Sequence, residues 1–133
     1  MKKEMLFIPA GLWNIGIGMT GLCFQAFAMN LFFGEGAYSG EFIAVVMTRI
    51  VMLAIIIFGV GYLMAAHDPV GNRGVIILGL ASKFILFGIY TFYFITGQAT
   101  IWAFLAVLGD FFWGLLFIWY LAQSRKESTE GRA

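Results

Sequence analysis

Apolar residues dominate four stretches of the chain, and each is long enough to cross a membrane as a helix, which takes about 20 predominantly apolar residues. The stretches run from about Met5 to Phe33, Glu41 to Ala66, Gly74 to Thr96 and Ala99 to Ala122. The connectors between them are short and carry turn chemistry: Gly34 to Gly40 with glycines at both ends, then His67-Asp68-Pro69-Val70-Gly71-Asn72-Arg73, then Thr96-Gly97-Gln98. Short connectors make consecutive helices antiparallel neighbours. The pattern therefore predicts an all-α integral membrane protein, an up-down-up-down four-helix bundle in one domain over residues 1–123. Residues 124–133 read as a polar, frayed tail. No internal repeat emerges, so an inverted-repeat transporter is not indicated.

Composition supports a lipid environment. Of the 133 residues, 62% are apolar and 11% charged, against roughly 45–50% and about 25% in ordinary soluble domains. A soluble domain of this size has too much surface for its volume to hide so many apolar groups. Formal net charge is +1 without a basic block, which argues against nucleic-acid binding. The apolar run after Lys2 and Lys3 is much longer than a signal-peptide core, and Leu22 before Cys23 is unsuited to lipoprotein cleavage. A retained first helix is expected.

Orientation follows from the positive residues flanking the spans. Lys2 and Lys3 precede the first span, Arg73 lies in the second connector, and Arg125, Lys126 and Arg132 follow the fourth span. The first and third connectors hold no Lys or Arg, and Glu35 and Glu41 bracket the first. Both termini and the second connector are therefore expected in the cytoplasm. Boundary aromatics agree with this arrangement: Tyr38, Tyr93 and Trp102 on the outer side, Tyr62, Trp119 and Tyr120 on the inner.

Three charged residues fall inside the spans: Arg49, Lys83 and Asp110. An ionised group at the bilayer centre costs roughly 2.5–3.5 kcal/mol even on the lenient insertion scale. At 1.5 Å per residue, all three lie on the order of 12–15 Å from a helix end, close to the midplane. Arg49 leans outward and Lys83 inward on long stems that can snorkel, whereas the Asp110 side chain is too short to reach an interface. Asp110 is thus expected to be protonated, to meet trapped water, or to pair with Lys83 or Arg49. It serves either as a structural ion-pair partner or as a proton or cation carrier. Asn14 lies at a depth from which it reaches Lys83 or Asp110. A mid-membrane Lys and Asp also suggest a retinal Schiff base and counterion, but four helices cannot wrap that chromophore.

In the first span Gly11, Asn14, Gly18, Gly21 and Gln25 recur every three or four residues and so share one face. Small residues let backbones approach and amides add interhelical hydrogen bonds, which makes this a packing face for the bundle or an oligomer. Gly79, Gly88, Gly109 and Gly114 offer further close-approach positions. In the cytoplasmic hairpin, Asp68 before Pro69 favours a turn, Asn72 is placed to cap the third span, and Arg73 to meet lipid phosphate. His67 is the sole histidine and Cys23 the sole cysteine. No intrachain disulfide can form, and no Cys or His metal site closes within one chain.

The hairpin Asp68 to Arg73, the Gly79 to Lys83 stretch and Gly109-Asp110 resemble a group of small, uncharacterised bacterial four-helix membrane proteins. The likeness covers residues from about Gly61 to Tyr120 and implies a bacterial inner-membrane location, with no activity to carry over. Small multidrug transporters have the same length and helix number, but the first span here lacks their membrane-embedded glutamate.

No nucleophile, base and oxyanion donor assemble, so an enzyme is not expected. The reading that covers most features is a non-catalytic accessory or scaffolding subunit of a membrane complex, or a homo-oligomer, with lipids and other membrane subunits or itself as partners and no cofactor. The alternative is a small transporter or proton-linked channel using Asp110, Lys83 and Arg49. A third is a binder of an apolar cofactor or lipid, for which the 15 phenylalanines supply a lining. If Asp110 carries protons or cations, Asp110→Asn abolishes flux in proteoliposomes; unchanged flux, or none in the parent, rules carriage out.

Overall fold

In a lipid solvent a backbone amide has no water to bond, so each long apolar segment must satisfy its hydrogen bonds internally as a helix. A computed structural model describes residues 3–130, with side chains for residues 3–125. Lys2, Arg132 and the side chain of Lys126, all assigned to the basic flank, lie outside the described residues. A 3-10 turn over Lys3–Leu6 leads into α1 (Phe7–Cys23), followed by α2 (Gln25–Phe33), α3 (Phe42–His67), α4 (Arg73–Ile95) and α5 (Ile101–Glu130). There is no strand among the described residues. Four segments are long and apolar enough to cross a membrane: Lys3–Cys23, Phe42–His67, Arg73–Ile95 and Ile101–Arg125.

Two boundaries differ from the hydropathy reading. The first apolar run, expected as one helix to Phe33, breaks at Phe24 (φ −126°, ψ 51°). Four residues earlier the Thr20 hydroxyl donates to the Gly16 carbonyl at 2.8 Å, an i−4 bond that bends helices. Three glycines in this last stretch weaken the ladder further. Hydropathy could not register the break, because every residue around it suits lipid. At the other end α5 continues through the polar segment to Glu130. Its 30 residues extend about 45 Å, longer than a core of about 30 Å.

The most extensive helix contacts are of α1 with α3 and of α4 with α5. The first seam depends on glycine. A Cβ on Gly11 would stand 2.7 Å from the Gly59 carbonyl oxygen, and one on Gly59 would stand 2.8 Å from the Gly11 carbonyl oxygen. One turn pair further, a Cβ on Gly18 would meet the Met52 carbonyl oxygen at 2.8 Å. The α4–α5 seam is instead aromatic, with ring centroids of Phe87 and Phe111 at 4.7 Å and of Phe94 and Phe104 at 4.9 Å.

The two pairs meet in one buried cluster: Phe7 and Ala10 of α1, Tyr62 and Ala65 of α3, Ile76 of α4, Phe117 and Tyr120 of α5. Phe117 stands 5.0 Å from both Phe7 and Tyr62, centroid to centroid. Tyr62 and Tyr120 are buried between helices in this cluster. Tyr38, Tyr93, Trp102 and Trp119 are exposed.

The α3–α4 hairpin closes this end. The Gly71 amide donates to Asp68 Oδ1 at 2.9 Å. Asn72 holds the N-cap position of α4, but its side chain caps nothing there. Its amide donates instead to the Asp68 carbonyl at 2.8 Å and the Met64 carbonyl at 3.4 Å, closing the end of α3. The reason is conformational: Asn72 has φ −104° and ψ 20°, not the extended geometry that turns a side-chain oxygen onto the first-turn amides.

The glycine seam is tested by substitution. Gly59→Val should cost about 1–3 kcal/mol through overpacking. Gly16→Ala, where an added Cβ meets nothing within 4 Å, should be neutral or stabilising by up to about 1 kcal/mol. Reversible unfolding in lipid bilayers measures both, and equal effects would mean that the seam does not control stability.

Candidate functional site

Away from the hairpin α3 and α4 diverge. They are in contact where Tyr62 lies against Gly79 and Val75 against Gly61, and further along α2 fills the gap between them. Phe33 of α2 stacks obliquely near Tyr90 of α4, centroids 6.0 Å apart, while the Thr48 hydroxyl of α3, which donates to the Ala44 carbonyl at 2.9 Å, lies 4.0 Å from the Met29 sulfur. α2 is anchored at both ends. The Gln25 amide donates to the Val45 carbonyl of α3 at 3.2 Å, and the Thr100 amide, just before α5, donates to the Phe32 carbonyl at 2.8 Å.

Lys83 is buried at the point where the four long helices converge. Its Nζ donates to Asp110 Oδ1 of α5 at 2.5 Å and to Asn14 Oδ1 of α1 at 3.1 Å. It also lies 5.4 Å from the ring centroid of Tyr62 on α3. Only 2% of the Lys83 side chain and 15% of the Asp110 side chain are accessible. A charge-assisted pair with a third polar partner is the arrangement that lets an ammonium survive in a low dielectric. The choice left open by the sequence is thereby decided: Asp110 pairs with Lys83 and not with Arg49. The Tyr62 hydroxyl is buried without a hydrogen-bond partner among the described residues. Ser82, its polar neighbour, donates to the Gly79 carbonyl at 2.9 Å instead.

Beside this cluster lies a cavity of about 240 Å³. Asn14, Lys83, Asp110 and Ser82 give it one polar side, and the rest is apolar or aromatic, including Ile17, Met52, Ile55, Phe58, Leu86 and Phe32 of α2. It is partly open, and the exposed residues Val51 and Ala54 of α3 are at its lining. The opening therefore faces the lipid side of α3.

The other candidate residues are dispersed. Arg49 is exposed on α3 in a separate groove with Cys23, Phe24 and Tyr38. Gly11, Gly18 and Gly21 face α3, so the small-residue face is occupied within the chain, and Gln25 belongs to the anchoring of α2. Gly79 receives Tyr62, Gly114 packs on Phe84, and Gly109 on Trp13, whereas Gly88 faces open space. His67, Asp68, Asn72 and Arg73 cluster in the hairpin and at the start of α4, not among the partners of the ion pair. No group of three or more His, Cys, Asp or Glu among the described residues could hold a metal. The cavity and the role of Tyr62 had no signal in the sequence, since both arise from the divergence of α3 and α4. No protein-family model, curated protein or solved structure matches this chain.

The pair makes an asymmetric prediction. Asp110→Asn, which leaves the ammonium without its counter-charge, should cost about 3–5 kcal/mol. The double change Lys83→Met with Asp110→Leu should be far milder, near neutral or stabilising. Unfolding midpoints of the three proteins in one bilayer composition decide the matter; single and double variants of equal stability would refute the pairing.

Proposed function

We propose that this chain is a non-catalytic multi-pass membrane protein that binds one membrane-soluble small molecule, which enters the cavity from the bilayer between α3 and α4. The observation that carries the reading is an apolar cavity that opens at Val51 and Ala54 and ends on an internally neutralised polar cluster. Binding pockets generally combine apolar walls with a few convergent polar groups. At about 240 Å³ this one falls below the usual range of about 300–1,000 Å³. It therefore suits the head of a longer molecule whose tail stays in lipid.

Charge balance defines that head. The Lys83 ammonium is already offset by Asp110, so a charged head would add a net charge to a low-dielectric site. A neutral head that accepts a hydrogen bond is favoured, because Lys83 carries three donors and two are engaged. A carbonyl or hydroxyl on an apolar ring or chain meets this description.

The reading ranks ahead of the two others for structural reasons. The glycine face that would serve a scaffolding partner is occupied by α3, and a transport path through Asp110, Lys83 and Arg49 lacks Arg49 as a neighbour. We further propose that the spans alternate in direction, with both termini and the 68–72 hairpin in the cytoplasm of a bacterial inner membrane. The shared cluster of Phe7, Ala65, Ile76 and Phe117 supports the alternation. Basic residues at that end, such as Lys3 beside Tyr120, support the orientation.

The protein should be taken from its native membrane into lipid nanodiscs without detergent, weighed intact, and its extracted small molecules identified. One molecule per chain is expected, lost from Ala54→Phe, which blocks the mouth without touching the polar cluster. A parent without a bound molecule, or retention by the variant, would overturn the proposal, and copurifying polypeptides in fixed ratio would restore the scaffolding reading.

A further inference from the structure

Arg49 presents a different problem from Lys83. It lies seven residues into α3, within a segment suited to cross the membrane, and is exposed. It forms no hydrogen bond or ion pair among the described residues. Its groove, about 440 Å³, runs along the break between α1 and α2 and contains Leu22, Phe24, Gln25, Phe27 and Tyr38, but no carboxylate. The Gln25 amide is already committed to the Val45 carbonyl. An intramembrane guanidinium without a counter-charge from its own chain snorkels toward the interface, and the groove it shares with Tyr38 of the connector brings it within reach of an anion there.

We infer that this groove is a binding site for an anionic phospholipid, whose phosphate is held by Arg49 and whose chain lies over Phe24 and Phe27. A guanidinium matches a phosphate with two parallel hydrogen bonds, and the Tyr38 hydroxyl on the same groove is a further donor. Phe24 and Phe27 are 66% and 60% exposed, an apolar bed continuous with the bilayer. A lipid is favoured over free phosphate because its apolar chain covers Phe24 and Phe27, which offsets the dehydration of its phosphate. An anionic head is favoured over a zwitterionic one because the groove offers no carboxylate for a head-group amine. The site is separate from the cavity beside Lys83 and does not depend on that proposal.

The test is native mass spectrometry of the full chain released from nanodiscs of equal phosphatidylglycerol and phosphatidylcholine. The parent should retain one phosphatidylglycerol with a preference of about tenfold, since both lipids present a phosphate but choline brings a second cation beside Arg49. Arg49→Gln should lose the preference, Arg49→Lys should keep part of it, and Gly88→Ala, on α4 where an added Cβ meets nothing, should leave it unchanged. Helical content by circular dichroism shows that each variant is folded. Equal retention of the two lipids by the parent, or an undiminished preference in Arg49→Gln, would overturn the site. Displacement by millimolar inorganic phosphate would overturn the assignment to lipid.

Discussion

The Lys83 ammonium is the constraint around which the bundle is arranged. In a medium that solvates ions poorly, it must be met by groups from the protein itself, and each comes from a different helix: Asp110 from α5, Asn14 from α1 and the Tyr62 ring from α3. Apolar contacts between helices in lipid are weakly specific, because lipid chains offer nearly the same environment. A buried charge has few acceptable positions, so it fixes the depth of each helix relative to the others. A slide of one turn by α5 would move the carboxylate about 5.4 Å, well beyond hydrogen-bond reach.

A second constraint acts along α1 and α3, where the glycine contacts at Gly11, Gly18 and Gly59 bring the backbones together. α4 and α5 are held apart by phenylalanine rings and interlock through them. The two pairs join near the hairpin, where Tyr62 lies against Gly79 and the aromatic cluster fills the centre, and again where Trp13 of α1 packs on Gly109 of α5. Away from it, the polar cluster and α2 occupy what would otherwise be a gap. The cavity is the space that neither fills, which explains why it is lined by Lys83 on its polar side and by Phe32 of α2.

The two intramembrane cations show how position in the tertiary structure sets chemical role. Lys83 faces inward and is neutralised by the chain, whereas Arg49 faces outward into a groove formed by the break at Phe24. Both occur in apolar segments of similar length, and both have long stems. What separates them is the helix face on which each falls relative to the neighbours that α1 selects.

The sequence by itself determined the class of the protein and most of its elements. Apolar runs near 20 residues compel helices because backbone groups in lipid must bond within their own segment, and short connectors leave little freedom in their order. It also singled out Lys83, Asp110 and Asn14 as unusual, since polar groups in such runs are costly wherever they point. The identity of the pair, however, depended on the relative rotation and depth of helices, which residue spacing alone does not fix. The kink at Phe24 was invisible for a different reason: hydropathy records what lipid tolerates, and a hydroxyl back-bond at Thr20 changes the backbone without changing that tolerance. The burial of Tyr62, the turning of Asn72 onto α3 rather than α4, the internal use of the glycine face and the cavity itself were decided only by tertiary packing, because each depends on which neighbour occupies the adjoining space.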